Sequence, residues 1–187
     1  MHPDELLGQL KDWGVLKEGH FLLTSGRHSS RFLLFARAFE YPERGSWLAQ
    51  RLAVEAREFE ATVVCGPAMG GVLLSYEVAR ALSLRTIYTE KDGDAMALKR
   101  GFAVQPDDRV LVVEDAVTTG GSVRQTITAL RRAGAEIAAV AAVVDRSGGS
   151  VDFGVPFCSL TVIDVPSYDA AECPECKIGM PLQRPKS

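Results

Sequence analysis

The stretch Arg109-Val110-Leu111-Val112-Val113-Glu114-Asp115-Ala116-Val117-Thr118-Thr119-Gly120-Gly121-Ser122-Val123-Arg124 organises this 187-residue chain. Val110 to Val113 form an apolar run, three-quarters β-branched, as expected of a strand buried on both faces. Two adjacent carboxylates, Glu114 and Asp115, stand at its end. A turn of small residues, Thr118 to Ser122, then opens into a helical pattern with Val123, Ile127 and Leu130 at i, i+4, i+7. Such a turn offers backbone N–H groups and hydroxyls to a phosphate at a helix N-terminus, where the dipole favours anions. The carboxylates are suited to sugar hydroxyls or a hydrated cation. No Lys follows the glycines, so this is not a Walker loop, and the spacing is not G-x-G-x-x-G.

Outward from that stretch, strands and helices alternate. A short helix over 3–13 places Leu6, Leu7 and Leu10 on one face and stops at Gly14. Residues 19–30, Gly19-His20-Phe21 through Arg27-His28-Ser29-Ser30, pass from apolar to hydroxyl-rich and read as a hairpin turn, followed by a strand over 31–36. Pro42 starts a helix to Phe59 with Trp47, Leu48, Leu52 and Phe59 inward. A strand over 61–65 runs through Gly66-Pro67-Ala68-Met69-Gly70-Gly71 into a helix ending at Leu82. This second strand–glycine–helix unit either takes an anion or simply makes a tight turn. Leu84 to Glu90 is a strand. Residues 91–101, Lys91-Asp92-Gly93-Asp94-Ala95-Met96-Ala97-Leu98-Lys99-Arg100-Gly101, form an exposed, mobile loop or hairpin. Ile137 to Val144 is a buried strand ending in Asp145-Arg146, and 159–163 is the last.

This order predicts an α/β fold with a mainly parallel twisted sheet flanked by helices. Without linkers or repeats, residues 1–187 read as a single domain: an N-terminal hood over 1–40, a core over 60–165 and an irregular tail over 166–187. Ligands of such sheets gather at the carboxyl ends of the strands. Ala68 to Gly71, Lys91, Glu114 to Ser122 and Asp145-Arg146 therefore belong on one face.

Composition narrows the classes. A hydrophobic share of 47% and a charged share of 24% suit a soluble globular chain, and a net charge of -3 provides no basic field for nucleic acid. No apolar run is long enough to cross a membrane, and the first residues lack a signal-peptide pattern, so a cytoplasmic location is expected. Of four cysteines, Cys65 and Cys158 lie in apolar runs and read as buried thiols. Cys173 and Cys176 form a C-x-x-C without a second ligand pair at recognisable spacing. That pair reads as a structural turn in the tail, with zinc or a redox switch as alternatives.

V-V-E-D-A-V-T-T-G-G-S resembles the phosphoribosyl pyrophosphate (PRPP) motif of type I phosphoribosyltransferases. The G-H-F-L-L-T-S-G-R-H-S segment from Gly19 and the Asp145-Arg146 pair narrow the resemblance to the orotate phosphoribosyltransferase family, over Gly19 to Arg146. The resemblance implies that Glu114 and Asp115 hold the ribose hydroxyls and that Ala116, Val117, Thr118, Thr119, Gly120, Gly121 and Ser122 wrap the 5-phosphate. It implies a pyrophosphate loop at Ala68, Met69, Gly70 and Gly71. Ser25, Arg27, Phe32, Leu33, Thr118 and Arg146 fall at orotate-binding positions, with Arg146 pairing the carboxylate. The 91–101 segment matches a catalytic loop that acts in the partner subunit's site, implying a homodimer. Lys91 and Asp115 are the catalytic candidates. Mg²⁺ is the implied cofactor, held mainly by PRPP and water with no protein ligand set. The chain departs from the family pattern at Thr24, where many members carry Lys, and in the loop, which keeps Lys91 and offers Lys99 and Arg100 as further PRPP contacts. E-K-D-G-x-x-x-x-L-K-R-G-F and the C-P-E-C-K-x-G-x-P tail resemble a branch of the family. The resemblance implies transfer of a phosphoribosyl group from PRPP to orotate. A PRPP-sensing regulator and a transferase for another nucleobase are the alternatives; the first lacks a basic face or added domain, and the second has no use for Arg146.

Overall fold

The computed structural model describes residues 3–23 and 25–185. Thr24, the position at which the family often carries Lys, lies outside them, as do Met1, His2, Lys186 and Ser187. The chain divides into two compact units, residues 41–163 and a smaller one made of residues 1–40 and 164–187.

In the smaller unit, α1 (Pro3–Asp12) buries Leu6 and Leu10. Strands β1 (Leu16–Leu22) and β2 (His28–Leu33) pair antiparallel, so the hairpin turn expected between them is present, and β2 begins three residues earlier than the sequence pattern suggested. A short helix, α2 (Ala36–Phe39), follows. The tail is more ordered than expected. His28 and Tyr168 exchange backbone hydrogen bonds of 2.8 Å, Gln183 pairs with the β1 backbone, and a one-turn helix spans Pro174–Lys177. Proline spacing suggested irregularity, but strand pairing with the hairpin supplies partners for the backbone groups.

The larger unit starts with α3 (Pro42–Ala56), which has Pro at its first turn as the sequence indicated. Leu48 and Leu52 are buried, while Trp47 and Phe59 are only half-buried. The Arg51 guanidinium stacks on the Trp47 ring, and Phe59 lies in a 3₁₀ turn beyond the helix end. The small residues Gly45, Ala49, Ala53 and Ala56 occupy the remaining inward positions.

Next come β3 (Val63–Pro67), α4 (Gly70–Leu82), β4 (Arg85–Asp92), β5 (Ala95–Leu98), β6 (Arg109–Val117), α5 (Gly121–Arg132), β7 (Glu136–Asp145) and β8 (Phe157–Val162). They build one sheet in the order β5-β4-β3-β6-β7-β8, parallel except for the β5 edge. The central strands β3, β6 and β7 are apolar without alternation because helices cover both faces. Val63, Val110, Val112 and Val140 meet Val123, Ile127 and Leu130 of α5 in the core. A buried hydroxyl pair, Thr89 and Thr126 at 2.8 Å, joins β4 to α5.

Two boundaries change how the chemistry is placed. Strand β6 continues through Glu114 and Asp115 to Val117, because β7 pairs with it as far as Val117 opposite Asp145. The carboxylates therefore belong to the strand itself. The 91–101 segment takes the hairpin form of the two that the sequence allows, with Lys91 opposite Met96. Buried Met96 anchors it, a contact hidden in the sequence by the surrounding charges. Among the described residues, no helix is long and apolar enough to cross a membrane.

Candidate active site

The carboxyl edge of the large sheet carries a pocket of about 270 Å³. It is lined by Glu114, Ala116, Val117 and the turn from Thr118 to Val123. Helix α5 starts there without a side-chain cap and without an acidic residue in its first turn. Its first N–H groups are thus donors awaiting an acceptor, at the positive end of a 12-residue helix. Gly120 makes this entry possible. Its φ of 73° is left-handed, and a Cβ there would sit 2.7 Å from Cε1 of buried Phe153. Thr118 and Thr119 are exposed and add hydroxyls to the rim. An open, uncapped cradle of this kind takes a phosphate group.

Beside the cradle, Glu114 and Asp115 are half-buried on successive positions of β6. Burial raises the affinity of both carboxyls for protons well above the ordinary carboxylate range, and for Glu114 the neighbouring Asp115 charge adds to it. The strand supplies the Glu114 carboxyl with a weak 3.3 Å bond from the Asp115 N–H, and backbone N–H groups of Asp115 and Ala116 partly offset the effect of burial on the Asp115 carboxyl. Two adjacent carboxylates fit vicinal hydroxyls or the water shell of a divalent cation.

The second turn, Ala68 to Gly71, closes one side of this pair. A Cβ on Gly70 would lie 2.8 Å from Asp115 Oδ2. Gly71 is buried against Pro67, where a Cβ would stand 2.7 Å from the proline Cδ. Helix α4 can start this close to β6 only because its first two residues have no side chain. The Ala68–Met69 peptide bond is cis, the Ala68 N–H donates to the Thr89 carbonyl, and Met69 is exposed.

Arg146 follows β7 directly. Its backbone N–H donates to the Val117 carbonyl at 2.7 Å, which seats it next to the phosphate cradle. Its Nε is buried and has no hydrogen-bond partner among the described residues. Burial also lowers the pKa of the guanidinium from its ordinary value. The preceding Asp145 does not neutralise it, because the Asp145 carboxylate accepts from the Ser147 and Gly149 N–H groups at 2.7 and 3.0 Å. A half-buried cation with an unused donor is a receptor for a planar anion.

The remaining positions fall elsewhere. Lys91 is exposed on β4. Lys99 donates to the Lys91 carbonyl at 2.9 Å and pairs with Asp92, and Arg100 forms a two-pronged pair with Glu90. In the smaller unit, the Arg27 guanidinium is bound by Asp169 and by the side chain and carbonyl of Ser167. Ser25 is exposed, and Phe32 and Leu33 lie half-buried on β2 with Phe32 tilted against Phe21.

One grouping went unread in the sequence. His20 and His28 face each other across the β1–β2 hairpin, and both cysteines of the C-x-x-C stand against them. The second ligand pair absent from the local C-x-x-C sequence is supplied by histidines more than 140 positions away. Two histidines eight residues apart were the available signal, but both fell in a segment whose composition pointed to a turn.

A strand carrying two adjacent acids near its end, an uncapped glycine turn for phosphate and a second glycine turn beside it define a phosphoribosyl-binding domain of the α/β class. Residues 46–153 match the phosphoribosyl transferase domain family. Over 178 residues the chain is 51% identical to the orotate phosphoribosyltransferase of Thermotoga maritima, covering 95% of each. It is 43% identical to the orotate phosphoribosyltransferase of Caldanaerobacter subterraneus subsp. tengcongensis, covering all of this chain and 98% of that one. The crystal structure of the Aeropyrum pernix orotate phosphoribosyltransferase superposes with a TM-score of 0.69 at 28% identity, over 84% of this chain and 93% of the other. The chain belongs to the orotate phosphoribosyltransferase family.

Proposed function

We infer that the chain transfers the 5-phosphoribosyl group of PRPP to orotate, giving orotidine 5-monophosphate and pyrophosphate in pyrimidine synthesis. The observation that carries the choice of base is Arg146: a half-buried guanidinium with a buried, unused Nε beside the phosphate cradle matches a nucleophile that brings its own carboxylate.

The α5 entry holds the 5-phosphate through its N–H groups and the Thr118, Thr119 and Ser122 side chains. Glu114 and Asp115 accept from the ribose hydroxyls, and Ala68 to Gly71 lie against the pyrophosphate. Bond breaking at C1 builds positive charge on the ribose and negative charge on the departing pyrophosphate. The carboxylate pair, once ionised by its hydroxyl contacts, faces the positive side. Orotate N1 gives up its proton readily, so no strong base is required. This agrees with His20 and His28 being buried against each other in the smaller unit. Lys91, on the β4–β5 hairpin, supplies charge to the leaving group. Glu114 and Asp115 are the residues that would face the water shell of a PRPP-bound Mg²⁺, which would supply charge neutralisation at the pyrophosphate.

The active form is a homodimer in the cytoplasm, with the 91–101 hairpin serving the partner's site. Exposure of Lys91 and the resemblance of the segment to the family's catalytic loop support this reading. Mixing Lys91→Ala with Asp115→Asn subunits should restore part of the activity lost by each alone; verified heterodimers without recovery would argue against a shared site. The deciding assay follows orotate consumption spectrophotometrically with PRPP and Mg²⁺. Turnover of orotate but not of uracil or adenine is expected, and a preference for either control would overturn the assignment.

A further inference from the structure

We propose that His20, His28, Cys173 and Cys176 bind one structural zinc ion that fastens the C-terminal segment to the β1–β2 hairpin. The four side chains present one nitrogen or sulfur each, and these atoms all lie within 4.8 Å of one another. His20 Nε2 stands 2.8 Å from His28 Nδ1, 3.5 Å from Cys173 Sγ and 3.6 Å from Cys176 Sγ, and Cys176 Sγ is 3.3 Å from His28 Nδ1. Zinc holds thiolates at about 2.3 Å and imidazoles at about 2.0–2.1 Å, which spaces tetrahedral donors roughly 3.3–3.8 Å apart. The two His20–cysteine contacts and the Cys176–His28 contact already have that spacing; the two imidazoles must part by about half an ångström, and the remaining separations, up to 4.8 Å, must close to it.

Tautomer and charge agree with the geometry. His20 Nδ1–H donates to the Met180 carbonyl at 2.8 Å, which leaves the Nε2 lone pair directed into the cluster. This is the outer-sphere contact that orients a metal-binding imidazole. Two thiols give their protons to solvent as the ion enters, and two neutral imidazoles complete the set. The centre then carries no net charge, which suits a place where His20, His28 and Cys173 are buried. The other ionisable group facing it is Glu175, whose carboxylate accepts from the Cys173 thiol at 3.2 Å and leaves that contact when the thiolate forms. Two nitrogens and two sulfurs close the tetrahedron and leave no position for substrate, so the site is structural.

The spacing of the ligands explains what the ion does. His20 and Cys173 are 153 positions apart, and the smaller unit is built from segments on both sides of the larger one. Its apolar core is small, chiefly Leu6, Leu10, Val15, Leu16, Phe21 and Phe35. Units of this size commonly need a metal or a disulfide in addition to their core.

The test uses the full chain purified without chelator. Mass spectrometric metal analysis should find about one zinc per chain surviving gel filtration, and X-ray absorption at the zinc edge should show a shell of two sulfurs and two nitrogens. Replacement by Co²⁺ should give the intense visible absorption of a tetrahedral thiolate site. Cys173→Ser/Cys176→Ser should retain less than about a tenth of the metal and melt several degrees lower, while Cys158→Ser keeps both properties. Wild-type protein that neither contains zinc nor takes it up on refolding overturns the proposal. So does an oxygen-only shell, or a Cys173–Cys176 disulfide in freshly isolated protein. The wild-type measurements decide the matter even if the double variant does not fold.

Discussion

The turns that open α4 and α5 are built alike and do different work. Each joins a buried parallel strand to an uncapped helix, and each depends on glycine at the helix entry. At α5 the glycine is needed because of what lies behind it: Gly120 is left-handed and packed on Phe153, so the turn is supported from the apolar side and opens toward solvent as a pocket. At α4 the glycine is needed because of what lies in front: Gly70 faces the Asp115 carboxylate, and the turn acts as a wall along the acidic pair. One strand–turn–helix unit is an open cradle, and the other lines the acidic pair on the side where the proposed function sets the pyrophosphate. The atoms that a Cβ would strike tell the two turns apart.

The largest effect should come from the residues the two turns share. Replacing Glu114 and Asp115 together with Gln and Asn should abolish PRPP binding in calorimetry while the fold stays intact by circular dichroism. Unchanged PRPP affinity would break the comparison at its centre. Arg146→Ala removes a charged donor that extends the α5 side. It should raise the KM for orotate roughly 10- to 100-fold, as loss of about 1.5–3 kcal/mol of a charge-assisted bond requires, and change the KM for PRPP far less. An equal effect on both would undo the assignment.

The two glycines sharpen the contrast directly. Gly120→Ala imposes a left-handed alanine and a clash with Phe153, at a cost of about 1–2 kcal/mol in stability, with a raised KM for PRPP. Gly70→Ala places its methyl against Asp115 Oδ2 without left-handed strain. It should leave the melting temperature nearly unchanged and lower kcat/KM. Identical outcomes for the two variants would mean the turns are equivalent after all.

The smallest expected effect is in pH. Because burial raises the carboxyl pKa values of Glu114 and Asp115, the folded free protein holds their protons more tightly than the unfolded chain does. Their contribution is therefore most favourable below the ordinary carboxylate range near pH 4 and is lost as pH climbs from there toward neutrality. Melting temperatures of the ligand-free protein over that interval should fall less in the Glu114→Gln/Asp115→Asn variant than in the wild type.

The cradle was readable from sequence because its parts are contiguous: a β-branched run, two acids and Thr118 to Ser122 occupy one strand–turn–helix, where periodicity and turn chemistry act locally. Arg146 was readable as a cation at a strand end, but the burial of its Nε comes from packing. Phe153, which supports Gly120, gave no local signal. Neither did Met96, whose burial turns a charged segment into a hairpin. The His20, His28, Cys173 and Cys176 cluster was least legible. Half of it looked like a turn and half like an unfinished motif, and only strand pairing between distant segments joins them.

The division of the chain also bears on its synthesis. Residues 41–163 are contiguous and are synthesised before residue 164, so the larger unit needs nothing from the tail to build its sheet. The first 40 residues emerge earliest, yet they wait longest, because Tyr168, Cys173, Cys176 and Gln183 arrive last. In the nascent protein the β1–β2 hairpin is an open edge for that whole interval. A chaperone that guards unpaired strands would find its target there, in the oldest part of the chain.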